Sequence, residues 1–282
     1  MIIAPGLVIA LIGHFAAPLA GAMYAFTDFK GIGSYNFVGL QNFVEIFSSK
    51  QDFRALCNTF KIAIPFVISV IIIGLLLALA LQKKLKTVSV LRSLLFIPAV
   101  MIPLSISQVW KYILNNDGPL NMFLKAIGHS ELCKNWLGDP STALWCILFV
   151  MIWQNAGYSM VIFSAGLESI PKDLYEAASV DGAGAFQRFF YITRPMLAPS
   201  ITIVVTLMTI SGLRVFDQVI GLTGGGPAHW TETLASDFYQ QTWVNGRYGY
   251  GSALALLLTI LVSVIGVLQV VLLARQEEKV NG

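Results

Sequence analysis

Residues 176–200 read EAASVDGAGAFQRFFYITRPMLAPS, an acidic, small-residue segment that glycine interrupts and that lies between two long apolar runs. The whole chain of 282 residues is 56% apolar and only 12% charged. That charged fraction is about half of what a soluble globular domain carries. A polar insert in so apolar a chain indicates a segment that leaves an apolar environment, and the flanking runs indicate what that environment is.

Six runs without Asp, Glu, Lys or Arg divide the chain, and each holds about 18 residues or more, enough for a helix to cross roughly 30 Å of hydrocarbon. The pattern predicts an all-α integral membrane protein with a single domain over residues 1–282 and six transmembrane helices. The predicted spans are about 2–26, 60–82, 90–112, 141–166, 196–220 and 249–273.

The distribution of basic residues predicts the orientation. Loops 83–92 and 168–194 and the tail after residue 274 hold nine Lys and Arg in 45 positions, whereas the opposite loops hold nine in about twice that length. Basic residues concentrate in cytoplasmic loops. The density predicts both termini in the cytoplasm, led by KKLK at residues 83–86. The first run lacks a basic leader and a clear cleavage site, so it is predicted to stay as the first helix.

Several kinds of site are excluded or disfavoured. The net charge is only +3 and scattered, so no nucleic-acid footprint exists. TGGGP at residues 223–227 lacks the lysine and hydroxyl of a phosphate loop. His14, His129 and His229 lie far apart without neighbouring ligands, which disfavours a metal site.

Three loops lie on the predicted outer side. Residues 26–49 are aromatic and glycine-punctuated, which predicts an interfacial segment with a short helix near 40–47. Residues 115–139 are polar and rich in turn signals. The third, 222–251, combines glycines with aromatic residues and is expected to dip toward a pathway. Cys57 and Cys133 both fall on this side; a disulfide is conceivable, but free thiols are favoured.

The insert at 168–195 is predicted to be a helical hairpin. Pro171 suits a helix start, Asp181 and Gly182 break the helix, and a second helix follows at about 185–193. The second helix groups Phe186, Phe189 and Phe190 on one side. Two interpretations stay open at this point, a surface on which another protein docks and a solvated connection.

The insert resembles the EAA motif in permease subunits of binding-protein-dependent ABC importers. The matching positions are Glu176, Ala177, Ala178, Asp181, Gly182, Ala183, Phe186, Ile192 and Pro195. Further stretches, among them GLESIPKDLYEAA and VFDQVIGLTGGGP, are similar to carbohydrate-importer permeases of the maltose and glycerol-phosphate type over nearly the whole chain. The sequence departs from that family at Arg194, where an apolar residue is usual, and in having no basic leader.

The resemblance implies a type I ABC importer permease fold in a bacterial cytoplasmic membrane. It implies a non-catalytic subunit that pairs with a second permease, two cytoplasmic ATPase subunits and an external solute-binding protein. ATP and magnesium would be bound by the ATPase subunits, so this chain is expected to hold no cofactor. The residues expected to couple to the ATPase are Glu176, Ala177, Ala178, Asp181, Gly182, Ala183 and Phe186.

Polar side chains inside spans are candidates for the substrate path, because they are costly in lipid. Together with the resemblance, this selects Trp153, Asn155 and Tyr158 in the fourth span and Ser211 and Arg214 in the fifth as sugar contacts. For Arg214, a local ion pair with Asp217 on one helical face is an equal alternative. For Gln108 and Gln269, hydrogen bonding between helices is favoured.

Three other functions are weighed against a sugar importer. A self-sufficient secondary transporter or channel would show broken or charged helices in two repeated halves, and no such repeat is found. A membrane enzyme would need convergent His, Asp or Glu within spans, and those spans hold almost none. An ABC importer for a non-sugar solute such as glycerol phosphate stays open.

Overall fold

The computed structural model describes residues 12–82 and 87–281, and within them the chain is helical apart from one antiparallel bridge between Thr27 and Phe37. The predicted basic cluster 83–86 and the first part of the predicted first span lie outside these residues. The helices are α1 (Ala17–Tyr24), α2 (Gln41–Ser48), α3 (Lys50–Ala80), α4 (Val88–Val100), α5 (Pro103–Ile113), α6 (Pro119–Ala126), α7 (Pro140–Glu168), α8 (Lys172–Val180), α9 (Ala185–Met196), α10 (Ala198–Leu213), α11 (Asp217–Leu222), α12 (Leu234–Tyr239) and α13 (Tyr248–Asn281).

Three helices are long and apolar enough to cross a membrane by themselves, namely α3, α7 and, over Tyr248–Leu273, α13. Both α3 and α7 begin with a side-chain cap. The Ser49 hydroxyl accepts from the Asp52 backbone at 3.3 Å, and the Asp139 carboxylate accepts from the Ser141 backbone at 2.8 Å. Such caps satisfy backbone N–H groups that have no partner inside the helix. The capped, polar N-termini of α3 and α7 are thus distinct from the apolar remainder of each helix.

Two further apolar segments are bent rather than straight. The predicted span 90–112 consists of α4 and α5, which meet at 99° around Met101 and Ile102. Pro103 cannot continue the hydrogen bonding of α4, and it begins α5 instead. At the start of the predicted span 196–220, the hairpin helix α9 meets α10 at 66°, and α10 ends at Leu213. Each pair is long and apolar enough to cross a membrane only when its two helices are counted together.

The expectation that Arg214 and Asp217 share one helical face is wrong. α10 ends before Arg214, and α11 begins at Asp217. Phe216, directly before α11, does not have helical backbone angles. Because the helix is interrupted between them, a spacing of three residues no longer brings the two side chains to one face. Among the described residues, Arg214 forms no ion pair.

Other local predictions are confirmed. The short surface helix expected near 40–47 is α2. Cys57, Cys133 and Cys146 are free thiols. Gln108 donates to the carbonyl of Gly221 at 3.3 Å, and Gln269 donates to the hydroxyl of Thr209 at 3.0 Å, so both link separate helices.

The helices pack closely at small residues, and α7 is the centre of these contacts. A Cβ at Gly157 in α7 would collide with the backbone carbonyl of Leu95 in α4. A Cβ at Gly74 in α3 would lie 2.7 Å from the Cβ of Ser159 in α7. Close contact between small residues is how helices associate in lipid, where apolar burial gives no net drive. The buried side chains of α3, α5, α7, α10 and α11 form one core around these contacts.

Replacing Gly157 with valine tests this packing. The added side chain meets backbone rather than a movable side chain, so α4 and α7 must separate, at a cost of about 1–3 kcal/mol for an overpacked core. We expect a lower apparent Tm of the purified protein in detergent. Gly266→Val in α13 is the matched control, because a Cβ there meets nothing within 4 Å. Equal Tm values for the two variants would contradict the packing argument.

Candidate functional site

The predicted hairpin is formed by α8 and α9 and connects α7 to α10. α8 ends with a tight turn in which the Ala183 N–H donates to the Ala178 carbonyl at 2.9 Å. Gly182 takes the positive φ of +78° that this turn requires. On the other side of the turn, the Gln187 side chain accepts from the Gly184 backbone at 2.8 Å. The turn is therefore held from both sides by hydrogen bonds.

Two side-chain contacts brace the helices of the hairpin against each other. The hydroxyls of Tyr175 and Thr193 are 2.9 Å apart, and Thr193 is buried. Arg188 donates to the Ser179 hydroxyl at 3.0 Å. In α9 the rings of Phe186 and Phe190 are 4.5 Å apart. These contacts make the hairpin a stiff unit rather than a loose loop.

The outer surface of the hairpin is open. Glu176 is exposed and, among the described residues, has no hydrogen bond or ion pair. Val180, one turn along α8 from Glu176, is 89% exposed, and Phe186 in α9 is 76% exposed. Exposed apolar groups beside an unpaired charge are typical of a surface that another protein covers.

The other predicted coupling residues differ in how far they are available. Asp181 and Gly182 are exposed in the turn, while Ala183 behind them is half-buried. Ala177 is exposed, but Ala178 is half-buried. Only the first alanine of the pair is therefore fully open on this surface. Arg194, for which the motif offers no role, is exposed where α9 approaches its bend with α10.

The predicted substrate residues of α7 do not lie together. With 3.6 residues per turn, Trp153 lies roughly 140–160° around the helix from Asn155 and Tyr158. Trp153 contacts Trp110 edge-on at 5.4 Å, and Tyr158 stacks with Phe96 at 6.5 Å. The Asn155 amide donates to the Met151 carbonyl of its own helix at 2.9 Å. The oxygen of that amide is left for another donor.

The predicted residues of the fifth span lie elsewhere. Ser211 is exposed on α10. Arg214 lines a cavity of about 610 Å³ together with Phe216, Tyr239 and Ser263. Neither Ser211 nor any of the three α7 residues lines this cavity. The rings of Phe216 and Tyr239 are 5.4 Å apart, so the cavity combines aromatic faces with a cation and a hydroxyl.

Sequence reasoning missed a buried pair of glutamines at the centre of the bundle. Gln218 in α11 donates to Gln154 in α7 at 2.9 Å, and Gln154 donates to the Met101 carbonyl at 3.3 Å. The second bond satisfies a backbone group near the bend between α4 and α5. Gln154 stands directly before Asn155 in the same apolar run. Because a polar side chain inside a span costs free energy, its presence there was a signal that could have identified Gln154.

The described residues contain no group of three or more His, Cys, Asp or Glu side chains that could hold a metal ion. The chemistry that this arrangement offers is contact with another protein at the hairpin and contact with a polar solute inside the bundle.

Comparison with known proteins gives the family. Residues 70–280, about three quarters of the chain, match the model of the binding-protein-dependent transport system inner membrane component. The multiple sugar-binding transport system permease protein of Streptococcus mutans is 32% identical over 265 residues, which are 94% of this chain and 91% of the relative. The trehalose/maltose transport system permease protein of Thermococcus litoralis is 37% identical over 230 residues, 80% of this chain and 76% of the relative.

Solved structures give the same fold. A chain of a bacterial ABC transporter involved in the import of the acidic polysaccharide alginate superposes with a TM-score of 0.84 at 23% identity, covering 96% of this chain and 93% of the other. The alginate transporter in complex with its pentasaccharide-bound periplasmic protein gives a TM-score of 0.82 over 95% and 91% of the two chains. With the hairpin motif and the matched length taken together, this chain belongs to the family of inner membrane components of binding-protein-dependent transport systems.

Proposed function

We propose that this chain is a transmembrane permease subunit of an ATP-driven carbohydrate importer. The observation that carries the proposal is the stiff, exposed hairpin with its unpaired Glu176, in a chain whose relatives are named as sugar permeases. A connection that served only to join α7 to α10 would need neither an open carboxylate nor exposed apolar side chains beside it.

The proposed topology has six spans with both termini in the cytoplasm. α3, α7 and α13 supply three spans, the bent pair of α4 and α5 supplies another, and α10, which follows the hairpin helix α9 after a bend, supplies the fifth. The predicted first span, which ends at about residue 26, supplies the sixth. The hairpin then lies on the cytoplasmic side of an inner membrane, and residues 223–247 lie on the outer side.

In the proposed assembly, this subunit pairs with a second permease, and each of the two contacts one cytoplasmic ATPase subunit. Glu176 would pair with a basic side chain of the ATPase. The attraction between the two charges is strongest if the contact excludes water. Phe186 and Val180 would be covered by the same contact. The ATPase subunits bind ATP and magnesium, and this chain does no chemistry. Closure of the ATPase pair on ATP moves the hairpin, and the hairpin moves α7 and α10, to which it is joined.

The proposed sugar path passes two separate groups of residues, Asn155 and Tyr158 in α7 and, apart from them, Ser211 in α10 and Arg214 directly after that helix. Amide and hydroxyl groups can hydrogen-bond a sugar, and aromatic rings can pack on its apolar faces. An external binding protein would deliver the sugar. Purification of this chain with its partners, followed by a screen of carbohydrates for stimulated ATPase activity in liposomes, tests the proposal directly. Stimulation by no carbohydrate would overturn it.

Reversing the charge of Glu176 tests the coupling surface. Because Glu176→Lys places a cation opposite the proposed basic partner, we expect transport to fall by tenfold or more, the effect of roughly 1.4 kcal/mol or more. Membrane insertion and ATPase activity of the assembled complex should persist. Asp117→Lys, at an exposed position in the loop between α5 and α6, is the matched control. Wild-type uptake by the Glu176→Lys complex would refute the role of this residue.

Substitution of Asn155 and Tyr158 by alanine tests the path. Each change removes one hydrogen-bonding group, worth about 0.5–1.5 kcal/mol, so the double variant should need roughly 5- to 150-fold more sugar for half-maximal uptake. Val161→Ala is the control, since Val161 is exposed one turn beyond Tyr158 in the same helix. An unchanged sugar dependence of uptake in the double variant would exclude these residues as contacts.

A further inference from the structure

Two aspartates meet inside the protein at the end of the bundle opposite the hairpin. Asp52 lies in the first turn of α3, and Asp237 lies in α12, within the segment 223–247 that we call the distal loop. They are 4% and 0% exposed. Tyr250 donates its hydroxyl to Asp52 Oδ2 at 2.7 Å, and Gln241 donates its amide to Asp237 Oδ1 at 3.3 Å. Each carboxyl is thus held by one neutral donor.

The second oxygen of each carboxyl has no donor. Asp52 Oδ1 and Asp237 Oδ2 are both buried without a hydrogen-bond partner among the described residues. The Asp52 carboxyl is nevertheless a hydrogen-bonding neighbour of Asp237 and raises the pKa of that group. Two ionised carboxylates offer only acceptors, so they cannot bond directly, but a carboxylic acid can donate to a carboxylate. One proton between the two groups would therefore supply the hydrogen bond that these two oxygens otherwise lack.

The neighbouring charged groups are engaged elsewhere. Glu232 in the distal loop pairs with His229 at 2.7 Å. Glu45 in α2 pairs with Arg247 at 2.7 Å, and the same guanidinium lies 4.0 Å from the centre of the Tyr250 ring.

A third cation, Arg54 of α3, lies over the ring of Trp230 at 4.1 Å. Within the part of the chain that the structure describes, no Lys, Arg or His forms an ion pair with either aspartate. Two buried carboxylates that were both ionised would therefore repel each other without compensation.

We propose that Asp52 and Asp237 form a proton-binding site in which one shared proton fastens the distal loop to the start of α3. The proposal goes beyond sugar transport and holds whatever the cargo is. Burial and the Asp52 carboxyl raise the pKa of Asp237 from its ordinary 3.8 to about 8, in agreement with a proton held there.

Neutral contacts fasten the same loop and do not titrate. Asn58 in α3 donates to the carbonyls of Trp230 and Glu232 at 2.8 and 2.9 Å. The Leu234 backbone donates to the Thr59 hydroxyl at 3.0 Å. These bonds keep the loop in place at any pH, so the aspartate pair adds a contribution that depends on pH.

The sign of that dependence follows from proton linkage. Between pH 4 and pH 8 the closed loop holds a proton that an opened, solvated Asp237 would release. The contribution of the pair is therefore complete below pH 4 and declines as the pH rises to about 8. Above that pH Asp237 is ionised in the closed loop too, and the loop opens more readily.

Hydrogen exchange of the distal loop tests the proposal in the full-length protein in lipid nanodiscs. With rates corrected for intrinsic exchange, we expect the protection of residues 231–243 to fall at least about tenfold between pH 5.5 and pH 9, the equivalent of one pKa unit. Asp237→Asn supplies a permanent amide donor to Asp52 and should make protection independent of pH. Asp117→Asn, outside the pair, should keep the wild-type dependence.

Three results would overturn the proposal. The first is equal protection of the wild-type loop at both pH values, and the second is an unchanged pH dependence in Asp237→Asn. If Asp237→Asn does not fold, Asp52→Asn replaces it, and protection that is independent of pH is expected there too. The third is restoration of protection at pH 9 by millimolar calcium chloride, which would make the pair a cation site.

Discussion

The close packing of α7 against its neighbours fixes the centre of the bundle and both attachments of the hairpin. Three small residues on this helix admit another chain segment, since Gly157 faces the Leu95 carbonyl, Ser159 faces Gly74, and Gly166 faces Ser200. In a membrane such contacts stabilise helix pairs through van der Waals attraction rather than through water release. Gly166 and Ser200 lie near the two ends of the hairpin, so both of its attachments are fixed by one contact.

Polar groups inside the protein follow a second constraint, that each needs a partner where water is scarce. At the centre of the bundle, Gln218 donates to Gln154, and Gln154 donates to the Met101 carbonyl. At the end away from the hairpin, Asn58 and Thr59 supply the backbone of the distal loop. The same rule thus allows a bent helix in one place and an irregular loop in the other.

The sequence was sufficient for the elements that a run of apolar residues or a turn signal defines. α3, α7 and α13 follow from hydropathy and length, and the hairpin follows from Asp181 and Gly182 between two helical patterns. The bend between α4 and α5 was not foreseen, because mean hydropathy is blind to direction, although Pro98 and Pro103 stood in the run. The assumed continuous helix through Arg214 and Asp217 failed for the same reason.

The candidate site was predictable to the same degree. Exposure of Glu176 follows from a polar insert, and the helical positions of Trp153 and Tyr158 could have been separated by counting turns. The cavity at Arg214 and the contact of Asp52 with Asp237 could not, because each joins segments that are distant in the chain. Such contacts are decided by tertiary packing, about which local sequence patterns carry no information.

The angle between α9 and α10 determines what kind of motion the hairpin can pass on. For a displacement along α9, the component along α10 is the cosine of 66°, about 0.4, and the component across α10 is its sine, about 0.9. A straight continuation would act as a piston and slide α10 through its contacts. At the bent connection most of a displacement along α9 is directed across α10, whose far end packs closely against Ala63 of α3 at Gly212.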